Sequence, residues 1–200
     1  MTHRSSPLKL GLLALALWCG SGWIAFASTP AEHIQGTMNR VLDILQNHKD
    51  KTEAEKKAML RQAVYPLFDF TEMARKSLGN HWEILAERQK EFVAVFAGFM
   101  ESSYLVKLQS YKDEKVLYTR EQIGKSLAEV DTKVVPRQGD EVSINYRLHF
   151  VEDQWKVYDV FIDNTSLVTN LRAQFSRIIT SASLDKLLED LREKTAKNQL

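Results

Sequence analysis

Between Leu127 and Val151 two segments joined by a short turn alternate apolar and polar residues, and that span restricts the possible folds more than any other. In "LAEVDTKVV" (127–135), Ala128, Val130, Thr132 and Val134 alternate with Glu129, Asp131 and Lys133. In "EVSINYRLHFV" (141–151), Val142, Ile144, Tyr146, Leu148 and Phe150 alternate with Ser143, Asn145, Arg147 and His149. "PRQGDE" and "EDQ" are turn sequences, with Gly139 as the permissive residue of the first. Period two across connections this short implies an antiparallel meander with one apolar face, and a helical layer must cover that face. A weaker strand, "KVLYTRE", precedes these two. The strand that follows them, 155–162, departs from the pattern. Val157, Asp159 and Phe161 alternate with Tyr158, Val160 and Ile162, so both of its faces are apolar. Asp159, set among apolar neighbours, needs a polar partner or water. Arg147 on the adjacent strand and Arg172 in the next helix are the candidates.

The remaining segments carry the helical period. Ile34, Met38, Val41, Leu42 and Leu45 mark one face over 32–48. In "TEAE", Thr52 and Glu55 form a capping box for a helix that ends near Tyr65, because Pro66 disfavours helical geometry before it. Asp69 and Glu72 repeat the device for a helix that turns Phe70, Met73 and Ala74 inward and ends at Gly79. A long segment, 83–111, carries Leu85, Phe92, Phe96, Phe99, Ser103 and Val106 on one face, with Gly98 as a point of bending. After the strands, Leu167, Leu171, Phe175 and Ile178 mark one helix, and Leu184, Leu187, Leu188 and Leu191 another. The order predicts a single α+β domain: a curved antiparallel sheet of about four strands, with N- and C-terminal helices packed on it.

Residues 1–27 read as a secretory signal peptide, and 28–200 as the mature domain. Arg4 and Lys9 precede the apolar run "LGLLALALWCGSGWIAF", and Ala25-Phe26-Ala27 is an A-x-A end, placing cleavage after Ala27. A membrane anchor is the competing reading, but glycines and a serine interrupt the run. Cys19 is the only cysteine and leaves with the signal; Trp18 before it is too bulky for a lipoprotein site. The mature chain therefore has no thiol for a disulfide, a nucleophile or a metal. Of 27 Lys+Arg and 26 Asp+Glu, the signal removes Arg4 and Lys9, leaving 25 against 26, a net charge of −1. Such a balance gives no general reason to bind nucleic acid.

Residues able to do chemistry are scattered. His33, His48, His81 and His149 show no metal-ligand spacing and read as solvated surface residues, so no metal site is expected. There is no Gly-rich phosphate loop and no G-x-S-x-G. Asp159 and Asp163 lie on one strand face roughly 13 Å apart by strand rise, too far to share a proton. The rival enzyme reading, a small hydrolase or isomerase using Asp159 or His81, has no constellation behind it. Asn164-Thr165-Ser166 matches a glycosylation sequon but reads better as a turn followed by a helix cap. What is abundant is apolar and aromatic surface. It either fills an ordinary core or lines a cavity for a ligand, and periodicity is the same for both.

Two motifs carry a family resemblance. "YPLFDFTEMARKSLGNHWEILAERQKEFVAVFAGFMESSYLVKLQSY" resembles the helical half of the MlaC family of toluene-tolerance-type periplasmic proteins. The matching residues are Phe68-Asp69-Phe70, Met73-Ala74, Leu78-Gly79, Trp82, Gln89, Phe92 and Tyr104. "VYDVFIDNTSLVTNLRAQF" is similar to that family's strand-to-helix signature, a Y-D-V, then S-L-V, then a helix ending Q-F. Asn164 stands where the family usually has glycine, and asparagine is the residue that next best tolerates a left-handed turn. Thr165 is more polar than the residue usual there.

The resemblance implies a periplasmic carrier of phospholipid between outer and inner membranes, an auxiliary component of an ABC-type system that maintains outer-membrane lipid asymmetry. Its implied partners are an outer-membrane lipoprotein–porin complex and an inner-membrane ABC transporter with a membrane-anchored lipid-binding subunit. No cofactor and no catalysis are implied. The tails would lie in an apolar cavity between the sheet (Tyr146, Leu148, Phe150, Val160, Ile162) and the helices (Phe70, Met73, Phe96, Phe99, Met100, Tyr104, Leu167, Leu171, Phe175), with Thr165 at an entrance near 163–167. The alternatives are a hopanoid-like polycyclic cargo, or a periplasmic adaptor with a filled core.

Overall fold

The computed structural model describes residues 28–105 and 114–197. The expected signal peptide lies outside them, as does the part of the long central helix expected beyond Leu105.

Helix α1 (Pro30–Asn47) opens with a capping box between Thr29 and Glu32 and has Pro30 in its first turn. Helix α2 (Glu53–Val64) opens with the expected Thr52–Glu55 box and gives way at Pro66 to a 3-10 turn, Tyr65–Leu67. Asp69 caps α3 (Phe70–Leu78) by accepting the Glu72 N–H at 2.9 Å, but Glu72 does not reciprocate. It grips Arg75 instead, with two contacts of 2.7 Å. Gly79 ends α3 at φ 55°, where a Cβ would strike the Arg172 guanidinium. The expected long helix is broken: a 3-10 stretch, Glu83–Arg88, leaves helical geometry at Ala86, and α4 (Gln89–Met100) follows. No break falls at Gly98. Instead α4 widens into a π-helical turn over Glu101–Leu105.

Five antiparallel strands then run in chain order, β1 (Lys115–Ile123), β2 (Leu127–Val135), β3 (Val142–Val151), β4 (Gln154–Ile162) and β5 (Thr165–Ser166). The segment expected to be weak, β1, pairs with β2 along its whole length, and β5 is a strand the sequence did not announce. Both turns flanking β4 have two residues with φ positive at each, Glu152-Asp153 (50° and 58°) and Asp163-Asn164 (45° and 63°). That is the type I′ geometry whose twist matches the strands it joins. Helices α5 (Leu167–Ser181) and α6 (Leu184–Lys197) close the fold.

Strand β4 is apolar on both faces because it carries a bulge. Tyr146 pairs with Val160, Arg147 with Asp159 and Leu148 with Val157, so Tyr158 is the extra residue. The bulge reverses the parity of the strand. Trp155 and Val157 before it, and Val160 and Ile162 after it, all share the face of Phe150, Leu148, Tyr146 and Ile144. The opposite face of β1–β3 is a lattice of charges, in which Arg120 meets Asp131 and Glu129 at 2.7 and 2.9 Å and Arg147 meets Glu129 at 3.1 Å.

The apolar side chains form two main cores. One lies between α1 and the sheet, from Ile34 and Leu67 to Val130, Leu148 and Val157. The other lies among α3, α4, α5 and α6, around Phe92, Phe96 and Phe175, whose rings meet at 6.0–6.3 Å. Phe68 packs on both cores, and its backbone bridges to Val157 of β4.

Asp159 joins sheet to helices, and neither expected arginine is its partner. Its carboxylate accepts from the Ser166 hydroxyl at 2.6 Å, the Val168 N–H at 3.1 Å and its own neighbour's N–H, Val160, at 2.8 Å. Ser166 is the N-cap of α5 and in turn accepts the Thr169 N–H at 3.0 Å. A buried carboxylate at a helix N-terminus is favoured by the unpaired N–H groups there. Asp159→Ala leaves buried donors without acceptors and is expected to lower unfolding free energy by about 2–3 kcal/mol in urea denaturation. A loss below about 0.5 kcal/mol would show that the contact is incidental.

Candidate functional site

The two cores meet at Phe68 but part along β4. Between them lies a cleft of about 240 Å³, open on one side. One wall is the sheet: Ile144 and Tyr146 of β3, and Val160 and Ile162 of β4. These four are neighbours because the Tyr158 bulge restores the alternation of β4 to that of β3. The facing wall is aromatic, with the Tyr65 and Phe68 rings 4.5 and 5.8 Å from that of Phe70. Val64, Met100, Tyr104 and Leu167 complete the lining. Leu167 is the first residue of α5 and is aimed by the hairpin before it. Met100 is the last residue of α4 and Tyr104 lies within the π turn that follows, a rare geometry that concentrates at functional sites.

Among the described residues two charged ones, Arg61 and Glu101, line the cleft, and they pair with each other. Arg61 Nε lies 3.2 Å from Glu101 Oε2, and the guanidinium sits over the Tyr65 ring at 5.4 Å. Burial pushes the Tyr104 phenol up, so it stays neutral at physiological pH. Such a lining can hold an apolar chain.

The cleft gathers Phe70, Met100, Tyr104, Tyr146, Val160, Ile162 and Leu167 from the residues expected of a lipid cavity. The others sit elsewhere. Met73, Phe96, Phe99, Leu171 and Phe175 are packed into the helical core. Leu148 is buried under α1 in the sheet core. Phe150 is 38 % exposed at the far end of the sheet, edge-on to Trp155. Thr165 is exposed on β5, outside the lining. Arg61, Val64, Tyr65, Phe68, Glu101 and Ile144 join the lining unanticipated. Alternation with Tyr146 marks Ile144, and the F-D-F motif marks Phe68. No local pattern relates Arg61 to Glu101.

His149 is not the solvated residue expected. Its Nε2 lies 3.0 Å from Asp69 Oδ2 and its ring packs edge-on to Tyr158 at 5.4 Å, fastening the start of α3 to the sheet. Among the described residues there is no group of three potential metal ligands, and no helix is long and apolar enough to cross a membrane.

The division between filled core and open wall has a measurable consequence. Phe175→Ala is expected to cost about 3–5 kcal/mol of stability in denaturant unfolding. Ile162→Ala, on the cleft rim and 37 % exposed, is expected to cost less than about 1.5 kcal/mol. Equal losses would mean that the cleft wall is core.

The MlaC protein family model matches residues 35–193. Among solved structures, the phospholipid-binding protein from Ralstonia solanacearum, in complex with a phospholipid, superposes with a TM-score of 0.77 at 21 % identity, covering 86 % of this chain and 100 % of that one. No curated protein matches the chain. The superposition shows a shared fold, and the family match runs from α1 into α6. The chain belongs to the MlaC family.

Proposed function

We propose that this protein is a periplasmic phospholipid carrier that holds acyl chains in the cleft between its two cores and shuttles lipid between the outer and inner membranes. The observation that carries the reading is the cleft: an apolar surface that the fold brings together and leaves uncovered. Family membership and the phospholipid bound to the Ralstonia solanacearum protein support it. The physical need is large. Exposing the roughly 30 methylenes of a diacyl lipid to water costs about 0.8 kcal/mol each, so free crossing of an aqueous space is negligible. The carrier has only to hide the tails, which is what an apolar lining with charges confined to its rim can do. No catalytic step is involved.

A volume of about 240 Å³ is below the usual range for sites that enclose drug-sized ligands, roughly 300–1,000 Å³. Loading therefore parts the two cores further. Two of the elements bounding the cleft depart from α-helical hydrogen bonding, the 3-10 turn at Tyr65–Leu67 and the π turn at Glu101–Leu105. On this reading the signal peptide delivers the protein to the periplasm. It meets a lipoprotein–porin complex at the outer membrane and, at the inner membrane, an ABC transporter with an anchored lipid-binding subunit.

Mass spectrometry of the intact protein purified from periplasm, with analysis of its solvent extract, tests this. One phospholipid per chain is expected. A polycyclic lipid in its place would reassign the cargo, and a chain that is repeatedly lipid-free and accepts none from vesicles would overturn the reading. Leu167→Glu is expected to cut loading at least about tenfold, because the carboxylate meets an apolar wall. It should not unfold α5, since an acid is favoured in a first helical turn. Thr165→Glu, on the same hairpin but outside the lining, should leave loading unchanged.

A further inference from the structure

The charged pair at the cleft rim points to a headgroup preference. Arg61 and Glu101 come from α2 and from the start of the π turn, forty residues apart, and pair within the cleft lining, with Arg61 open to solvent. They are unequal members. The Arg61 side chain is 57 % exposed and reaches the rim from outside, whereas that of Glu101 is 16 % exposed and set against Met100 and Tyr104 in the lining. A carboxylate so covered needs a cation beside it. An exposed guanidinium gives up one weak ion pair readily, because surface pairs contribute little.

We propose that Arg61 and Glu101 form a headgroup site that selects zwitterionic phospholipids, those carrying an ammonium beyond the phosphodiester. This rests on the lipid-carrier reading above. When acyl chains fill the cleft, the phosphodiester arrives at the rim. Arg61 turns outward to it, since the guanidinium fork matches phosphate oxygens. Glu101 then loses its partner and takes the ammonium of the same headgroup in exchange. Each charge is satisfied before and after loading, so the ion pair acts as a placeholder for the ligand. An anionic phospholipid, whose headgroup (glycerol, for example) carries no ammonium to offset the phosphodiester, satisfies Arg61 but strands Glu101 beside a net negative charge. The Tyr65 ring, already under the guanidinium, offers its face to either cation.

The test uses the full mature protein and vesicles of equimolar phosphatidylethanolamine and phosphatidylglycerol with identical acyl chains. Bound lipids are counted by mass spectrometry after re-isolation. The wild type is expected to take phosphatidylethanolamine in preference. Glu101→Gln keeps the shape and removes the charge, and is expected to shift the bound ratio toward phosphatidylglycerol by about fivefold. Arg61→Gln is expected to reduce loading of both lipids, because both carry the phosphodiester. Lipid bound in the same ratio by wild type and Glu101→Gln overturns the headgroup site and leaves the acyl-chain reading standing. No lipid on any of the three proteins overturns both. Thermal melting of each variant separates loss of a contact from loss of the fold.

Discussion

Asp159 is the contact on which the arrangement depends. A carboxylate on β4, 8 % exposed, is tolerable only where donors converge on it, and here they come from the first turn of α5 and from the N-cap serine. That requirement sets where α5 begins. It draws the chain back through a two-residue type I′ turn and a two-residue strand, which leaves no slack between sheet and helix. The consequence is twofold. Phe175, further along α5, is delivered to the centre of the helical core, and Leu167, at its start, is held at the cleft.

The cleft exists because two cores meet without merging. The sheet core lies between α1 and the strands and the helical core among α3 to α6, and Phe68 packs on both. They are fastened at Phe68, at the Asp159 cap and at the Asp69–His149 contact. Between these fasteners the apolar faces diverge. Core that is well packed resists change, whereas a seam between two packed units can open at little cost to either. This is a physical route by which a small cleft can admit a larger apolar guest without unfolding its walls.

Much of this was legible in the chain. Period two across 127–151, with short turns, dictated a meander, and the caps at Thr52, Asp69 and Ser166 are where the residue types put them. Three things were not legible, each for a physical reason. The Tyr158 bulge leaves no mark on composition, yet it decides which residues of β4 share a face. The partner of Asp159 was sought among cations, but backbone N–H groups and a hydroxyl satisfy it, and their direction depends on a turn. The division of the apolar residues of the central helix was hidden too. Phe96 and Phe99 are held within the core, whereas Met100, buried in that same core, and Tyr104, packed against it, also reach the cleft; all four follow one helical run, and only the tertiary packing tells them apart. The β3 part of the sheet wall was easier, because Tyr146 lies on the face that period two had already marked as apolar.

The central claim, that the seam between the two cores is where the lipid tails lie, is tested most directly by a crystal structure of the protein loaded with phospholipid. The account predicts continuous acyl density between Tyr146 and Val160 on the sheet and Phe70, Met100 and Leu167 opposite, with the two cores moved apart and each internally unchanged. Density on the outer face of the sheet or beneath α1, with the cleft still closed on itself, would contradict it.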